Sequence, residues 1–270
     1  MLLVMDVGNT NIGLGVYREE ELQVHWTAAT RPERTADELG MLLMELFHHR
    51  GLNPKEVTDV AIACVVPPLL SALEEMAARY FGCTPLVVGP GTRTGISILS
   101  DNPREVGADR IVNAVAGYTR YGGPLILVDF GTATTFDAVS ARGEYLGGAI
   151  APGIGISMEA LFEHTAMLPR VELGWPGRAI GKNTIASMQA GVLYGYVGLV
   201  KEIVARMRQE LGQPAKVIAT GGAAGLIAKE TDVIDRVDPL LTLEGLRIIY
   251  ERNISPEGKG TRQVGPVSGH

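Results

Sequence analysis

The order of apolar segments in this chain predicts an α/β fold, and three observations carry the prediction. A strand–turn–strand pattern is written twice, strands alternate with amphipathic helices, and glycine gathers at strand ends. The first copy of the pattern is Leu2-Leu3-Val4-Met5-Asp6-Val7-Gly8-Asn9-Thr10, with its second strand expected over 14–17. The second copy is Leu125-Ile126-Leu127-Val128-Asp129-Phe130-Gly131-Thr132-Ala133-Thr134-Thr135, with its second strand over 135–139. Each reads as a buried strand ending in an aspartate, then a polar turn containing glycine. Glycine lets the turn backbone approach a bulky anion, and the neighbouring hydroxyls and amides can donate to phosphate oxygens. Asp6 and Asp129 then stand where strand meets anion, suited to a hydrated cation. Capping the turn is the plainer role for each, and the two roles are compatible. Two such hairpins face to face predict a nucleotide cleft.

The remaining elements follow in order. Residues 22–27 alternate as a third strand, and a helix is expected from Thr35 with Leu39, Leu42, Leu43, Leu46 and Phe47 on one face. Gly51 and Pro54 end it. A buried strand over 59–65, a helix over 68–81 and a strand over 86–89 come next. Asn102, Pro103 and Glu105 then read as the cap, first residue and capping-box acid of a helix reaching Tyr121. Its first turns carry Val106-Gly107-Ala108-Asp109-Arg110, where small residues leave room for a ligand beside an acid and a base. After the second hairpin, residues 145–153 form a glycine-rich passage from strand to helix. A long helix over 184–211 carries Gly191, Gly195 and Gly198 on one face, suited to packing within a domain or to a subunit interface. A strand over 216–220 ends in Gly221-Gly222, a third glycine turn suited to an adenosine face. The tail from Ser255 has no period and is expected to be mobile.

Composition narrows the function. Apolar residues make up 46% of 270, enough for a sizeable core. The net charge of −6 supplies no basic excess to neutralise phosphates, so nucleic acid is not expected as a partner. No leader segment is read at the start, and the apolar stretch 147–158 is too short and too broken to span a bilayer, so a cytoplasmic protein without a membrane partner is expected. Cys64 and Cys83 read as reduced thiols. His25, His48, His49, His164 and His270 lack zinc-like spacing, although His164 is placed to line a pocket. Residues 177–184 imitate a P-loop, but the glycine spacing is one residue short and Asn183 stands where a hydroxyl must bind magnesium. A Rossmann fingerprint is absent.

Phosphoryl transfer to an alcohol needs a carboxylate within reach of the hydroxyl, and cations on the phosphates. Asp109 is the candidate base. A surface acid paired with Arg110 is the alternative for such a residue taken alone.

Together these motifs resemble the type III pantothenate kinases of the actin/Hsp70/sugar-kinase superfamily. The resemblance runs from Met1 to about Asn253, through the two aspartate turns, Gly107-Ala108-Asp109-Arg110, Gly147-Gly148 with Pro152-Gly153, and Gly221-Gly222. It implies two ribonuclease-H-like (actin-like ATPase) domains, over 1–115 and 116–254, with a nucleotide cleft between them and a flexible tail over 255–270. It implies that Asp6, Val7, Gly8, Asn9, Thr10, Asn11, Ile12, Gly13 and Thr132 hold the ATP phosphates. Ser100, Gly107, Ala108, Asp109 and Arg110 would form the pantothenate site, with Asp109 as proton acceptor. Asp129 matches a position that binds potassium or ammonium, alongside magnesium carried by ATP. Thr184 matches a substrate-contacting threonine that reaches the pocket from the partner subunit of a homodimer. The implied reaction makes 4′-phosphopantothenate, the first step of coenzyme A synthesis. Ser100 departs from the family, which commonly has tyrosine there. Two other readings compete: a kinase of another small polyol on the same fold, and a non-catalytic regulator of transcription. Against the regulator, all three aspartates are present and no basic arm is seen.

Overall fold

The computed structural model describes residues 1–254, so the expected mobile tail lies outside the described residues. Two sheets organise the chain. The first contains β1 (Leu2–Val7), β2 (Asn11–Arg18), β3 (Glu21–Ala29), β4 (Asp59–Cys64) and β5 (Leu86–Val87), in the order β3-β2-β1-β4-β5. The second contains β6 (Ser97–Ile98), β7 (Leu125–Phe130), β8 (Ala133–Val139), β9 (Glu144–Pro152), β10 (Lys216–Gly221) and β11 (Arg236–Val237), in the order β11-β10-β7-β8-β9-β6. Strands β1 to β3 are antiparallel neighbours, and β1, β4 and β5 run parallel. Strands β7, β8, β9, β10 and β11 repeat that plan, and β6 is added beside β9. The twice-written motif therefore reflects a twice-built sheet.

The central strands explain their own sequences. Leu2, Leu3, Val4 and Met5 are buried, as are Leu125, Ile126, Leu127 and Val128, because helices cover both faces. Each run breaks only at its aspartate. The second strands of the hairpins begin earlier than expected, at Asn11 and Ala133, which leaves the turns very short.

Helices α1 (Ala36–His49) and α2 (Pro67–Met76) cover one face of the first sheet, burying Leu39, Leu43, Phe47, Leu69 and Leu73 with Leu3 and Ile62. Thr35 caps α1, and its hydroxyl and backbone exchange bonds with Glu38 in a full capping box. α2 ends at Met76 and passes into one wider turn over Ala77–Phe81. Helix α3 (Ala108–Tyr121) needs a correction. The expected single helix from Asn102 is two elements, a short 3₁₀ turn over Pro103–Glu105 and then α3, whose N-cap is Gly107. The Asn102 amide donates to Glu105 Oε1 at 2.7 Å instead of closing a box on the backbone. Val106 and Gly107 are extended, and the break puts Asp109 in the first turn of α3.

Helices α4 (Ile154–Glu163), α5 (Thr184–Leu211) and α6 (Ala224–Ile227) pack on the outer face of the second sheet. The last described helix, α7 (Leu241–Asn253), returns to the first sheet. There α3 and α7 share one core with Val4, Tyr17 and Ala61, while Ala114 and Ala116 of α3 and Leu241 of α7 join Leu125, Leu127 and Ile218. These two helices thus fill the space between the sheets. Among the described residues no helix is long and apolar enough to cross a membrane.

The α3–α7 crossing depends on Gly245, where an added Cβ would strike the Val112 carbonyl oxygen and lie 2.6 Å from Val112 Cγ1. Gly245→Val is expected to separate the helices and cost roughly 1–3 kcal/mol or more, as overpacking does. A lower thermal midpoint would show this, and an unchanged midpoint would refute it.

Candidate active site

The two turns meet. Each closes on itself, by Gly8 N–H to Asn11 O at 3.0 Å and Gly131 N–H to Ala133 O at 3.1 Å. Thr30 ties the first turn to β3, its hydroxyl donating to Gly8 O at 2.7 Å and its N–H to Thr10 O at 2.9 Å. The hydroxyls of Thr10 and Thr132 then lie 2.7 Å apart, joining residues that are 122 positions distant in sequence. Gly221 ends β10 with φ +87, and a Cβ there would sit 2.6 Å from Asp129 Oδ1. The third glycine turn therefore stands against the second aspartate, and only glycine suits that backbone and that contact.

The carboxylates share one recessed space. Burial first, then the charges of Asp129 and Asp109, push Asp6 up to about 8. Burial pushes Asp129 up to about 6, aided by Asp109 and Asp137 and opposed by the hydrogen bond from Asn113. Asn113 Nδ2 donates to Asp129 Oδ2 at 2.9 Å, and Thr242 Oγ1 donates to Asn113 Oδ1 at 2.8 Å, which fixes the amide's orientation. Like charges crowded out of water favour a cation among them. Among the described residues no three acidic, histidine or cysteine side chains form a complete metal cage. The donor set fits cations that also take phosphate oxygens and water, as magnesium does at nucleotide sites.

Beside this space lies a cavity of about 390 Å³ lined by Ser100, Arg110, Tyr145, Gly147, Gly148 and Ile150, among others. Among the described residues Arg110 is the one basic residue lining it, alongside two acids, Asp101 and Glu105, while Asp109 itself lies just outside the lining. Asp109 Oδ1 accepts the Arg110 backbone N–H at 2.8 Å, and a Cβ on Gly107 would lie 2.6 Å from that oxygen. Gly107 is thus required to leave Asp109 its place. The Arg110 guanidinium is held by Asp137, a buried acid whose carboxyl is raised by burial and lowered by Arg110, Tyr145 and Thr135.

Asp6, Asp129 and Asp109 are therefore brought together, with Thr10 in contact with Thr132 and with Arg110 and Ser100 on the adjoining cavity. Thr184 is elsewhere: it begins α5 and lines a second, mostly apolar cavity of about 540 Å³ with Leu161, Leu168, Met188 and Val192. His164 caps the exposed end of α4 and lines neither cavity. Cys64 is a half-buried free thiol, as expected, and Cys83 is buried. Asn113, Thr242, Asp137 and Tyr145 were not foreseen as site residues. Asp137 alone carried a signal, as a charge inside the apolar run Phe136-Asp137-Ala138-Val139.

The raised carboxyls predict a pH dependence. Asp6 moves from 3.8 to about 8 on folding, so the folded chain binds more protons between those values and loses stability as pH rises through them. Asp6→Asn removes that slope. Without nucleotide or added cation, its thermal midpoint relative to wild type is expected to climb between about pH 5 and pH 8. Parallel curves for the two proteins would refute the assignment.

Comparison with known proteins bears on the family and the fold. The sequence pattern of the type III pantothenate kinases matches residues 2–206. A type III pantothenate kinase of Moorella thermoacetica is 61% identical over 94% of this chain and 100% of its own. One from Myxococcus xanthus is 60% identical over 94% and 99%. Among solved structures, a protein described as a Baf family transcriptional activator from Campylobacter jejuni aligns with a TM-score of 0.60 at 22% identity, covering 93% of this chain and 98% of that one. An activator of 2-hydroxyisocaproyl-CoA dehydratase from Clostridium difficile, with bound ADPNP, gives 0.52 at 11% identity, covering 98% and 99%. At such identities these structures speak for the fold alone. With a family pattern over most of its length and relatives near 60% identity end to end, the chain belongs to the type III pantothenate kinases.

Proposed function

We propose that this protein phosphorylates pantothenate with ATP, giving 4′-phosphopantothenate in the first step of coenzyme A synthesis, and that Asp109 is the general base. The observation that carries the reading is the convergence of Asp6, Asp129 and Asp109 beside two touching phosphate turns and a cavity that Arg110 lines.

The roles follow from the chemistry. Residues Asp6, Val7, Gly8, Asn9, Thr10, Asn11, Ile12 and Gly13, with Thr132, supply backbone N–H groups and hydroxyls for the ATP phosphates. Asp6 and Asp129 would hold cations, magnesium accompanying ATP and potassium or ammonium at Asp129, which neutralise charge on the phosphates. Asp109 takes the proton of the acceptor hydroxyl as its oxygen bonds to the γ-phosphorus, and the bridging bond to ADP breaks. Arg110 supplies the cavity's positive charge for an acceptor that is itself a carboxylate, and Ser100, Gly107 and Ala108 border its path. Thr184 completes the acceptor site from the partner in a homodimer. Support for the dimer is the exposed face of α5, where Gly191, Gly195 and Gly198 meet nothing within 4 Å among the described residues, together with exposed Ile180 and Ile185. A cytoplasmic location belongs to the same proposal.

Asp109→Asn is expected to lower kcat by about a hundredfold or more while calorimetry still finds ATP binding. Near-native turnover in that variant would remove Asp109 from the mechanism. Wild-type turnover should also require potassium or ammonium, and full rates in sodium alone would discard the Asp129 cation role. Gly195→Arg should leave a folded chain, since nothing in one subunit opposes it, yet sediment as a monomer with little activity. A persistent dimer, or an active monomer, would refute the shared site.

A further inference from the structure

Asp137 is a carboxylate only 1% exposed, yet it lies on no part of the phosphate turns and lines neither cavity. Removing such a group from water is costly unless its oxygens are fully engaged. Here they are. Arg110 Nε donates to Asp137 Oδ1 at 2.8 Å, and Arg110 Nη2 lies 2.7 Å from the same oxygen. The Tyr145 hydroxyl donates to Oδ1 at 2.7 Å, and the Thr135 hydroxyl to Oδ2 at 3.3 Å. The Tyr145 ring lies 5.9 Å from the guanidinium carbon, within reach of a cation–π contact.

This arrangement restricts Arg110 strongly. One edge of the guanidinium, Nε and Nη2, is committed to Asp137, while the side chain as a whole lines the acceptor cavity. Gly148 closes in from the neighbouring strand, where a Cβ would come 2.8 Å from Arg110 Nη2 and collide with the Phe136 carbonyl oxygen. An arginine free in solution samples many rotamers, and each one lost beforehand need not be lost on binding. A buried ion pair by itself adds little to stability. Its value here lies in geometry.

We infer that Asp137, braced by Tyr145 and Thr135, is a positioning residue that presets Arg110 for the acceptor. It acts on the acceptor through Arg110, and it makes no hydrogen bond to Asp6, Asp129 or Asp109. The inference rests on the kinase reading given above, and it adds a residue to which no role in the reaction has been attached.

A double-mutant cycle tests it, with wild type, Asp137→Asn, Arg110→Ala and the double variant assayed against both substrates. Asp137→Asn should raise the pantothenate KM roughly tenfold, as loss of a charge-assisted bond does, and leave the ATP KM where it was. In the Arg110→Ala background the same change should have no further effect on the pantothenate KM. Equal losses for ATP and pantothenate, additive effects in the double variant, or an unchanged pantothenate KM would each overturn the inference. Should Asp137→Asn fail to fold, Tyr145→Phe keeps the ring and removes one bond from the same carboxylate. It is put through the same cycle, and the same outcomes decide. Wild type inactive on pantothenate would instead overturn the kinase reading, so the two failures are told apart by which protein shows them.

Discussion

The burial of carboxylates beside one another governs this molecule. Asp6, Asp129 and Asp109 reach a common recess from β1, β7 and α3, where burial raises the carboxyls of Asp6 and Asp129 and the charge of Asp109 adds to both. A fold built for stability alone would keep them apart or pair each with a base. The nearest base, Arg110, has its side chain committed to Asp137. The recess is thus left short of positive charge, a condition that suits the cation-bearing triphosphate of the proposed reaction.

The scaffolding can be read as the means of enforcing that crowding. Two sheets of the same plan bring two aspartate turns face to face, and α3 and α7 between them fix the separation. Glycine supplies the remaining tolerance. Gly153 lies so close to Thr132 that a Cβ would strike its carbonyl oxygen, and Gly221 and Gly107 crowd Asp129 and Asp109 in the same manner. Side chains at these positions would push the acids or the turns out of place before any ligand arrived.

Much of this was legible in the sequence, and the boundary of legibility has a physical reason. The helix start at Thr35 and the span Thr184–Leu211 are local patterns, and the structure reproduces them. The aspartate turns were visible because the motif repeats. Asn102 misled because a cap depends on where its amide points, and here it bonds Glu105. The Thr242–Asn113–Asp129 chain could not be read from sequence, since Thr242 lies 129 residues from Asn113 and neither stands in a recognisable pattern. Asp137 is intermediate: a buried charge was detectable, but its partner across the sheet was not. Periodicity reports which face a residue takes, and only tertiary packing reports what it meets there.

The return of α7 to the first sheet has a consequence for biogenesis. During translation the first sheet can assemble while the ribosome is still making the rest, yet its inner face, which α3 covers only in part, is not closed until residues 241–253 have left the exit tunnel. The hydroxyl that steadies Asn113 arrives with that same segment. A nascent chain therefore carries both halves of the cleft some time before its chemistry is competent, and a protein truncated short of this helix would be born without a finished centre.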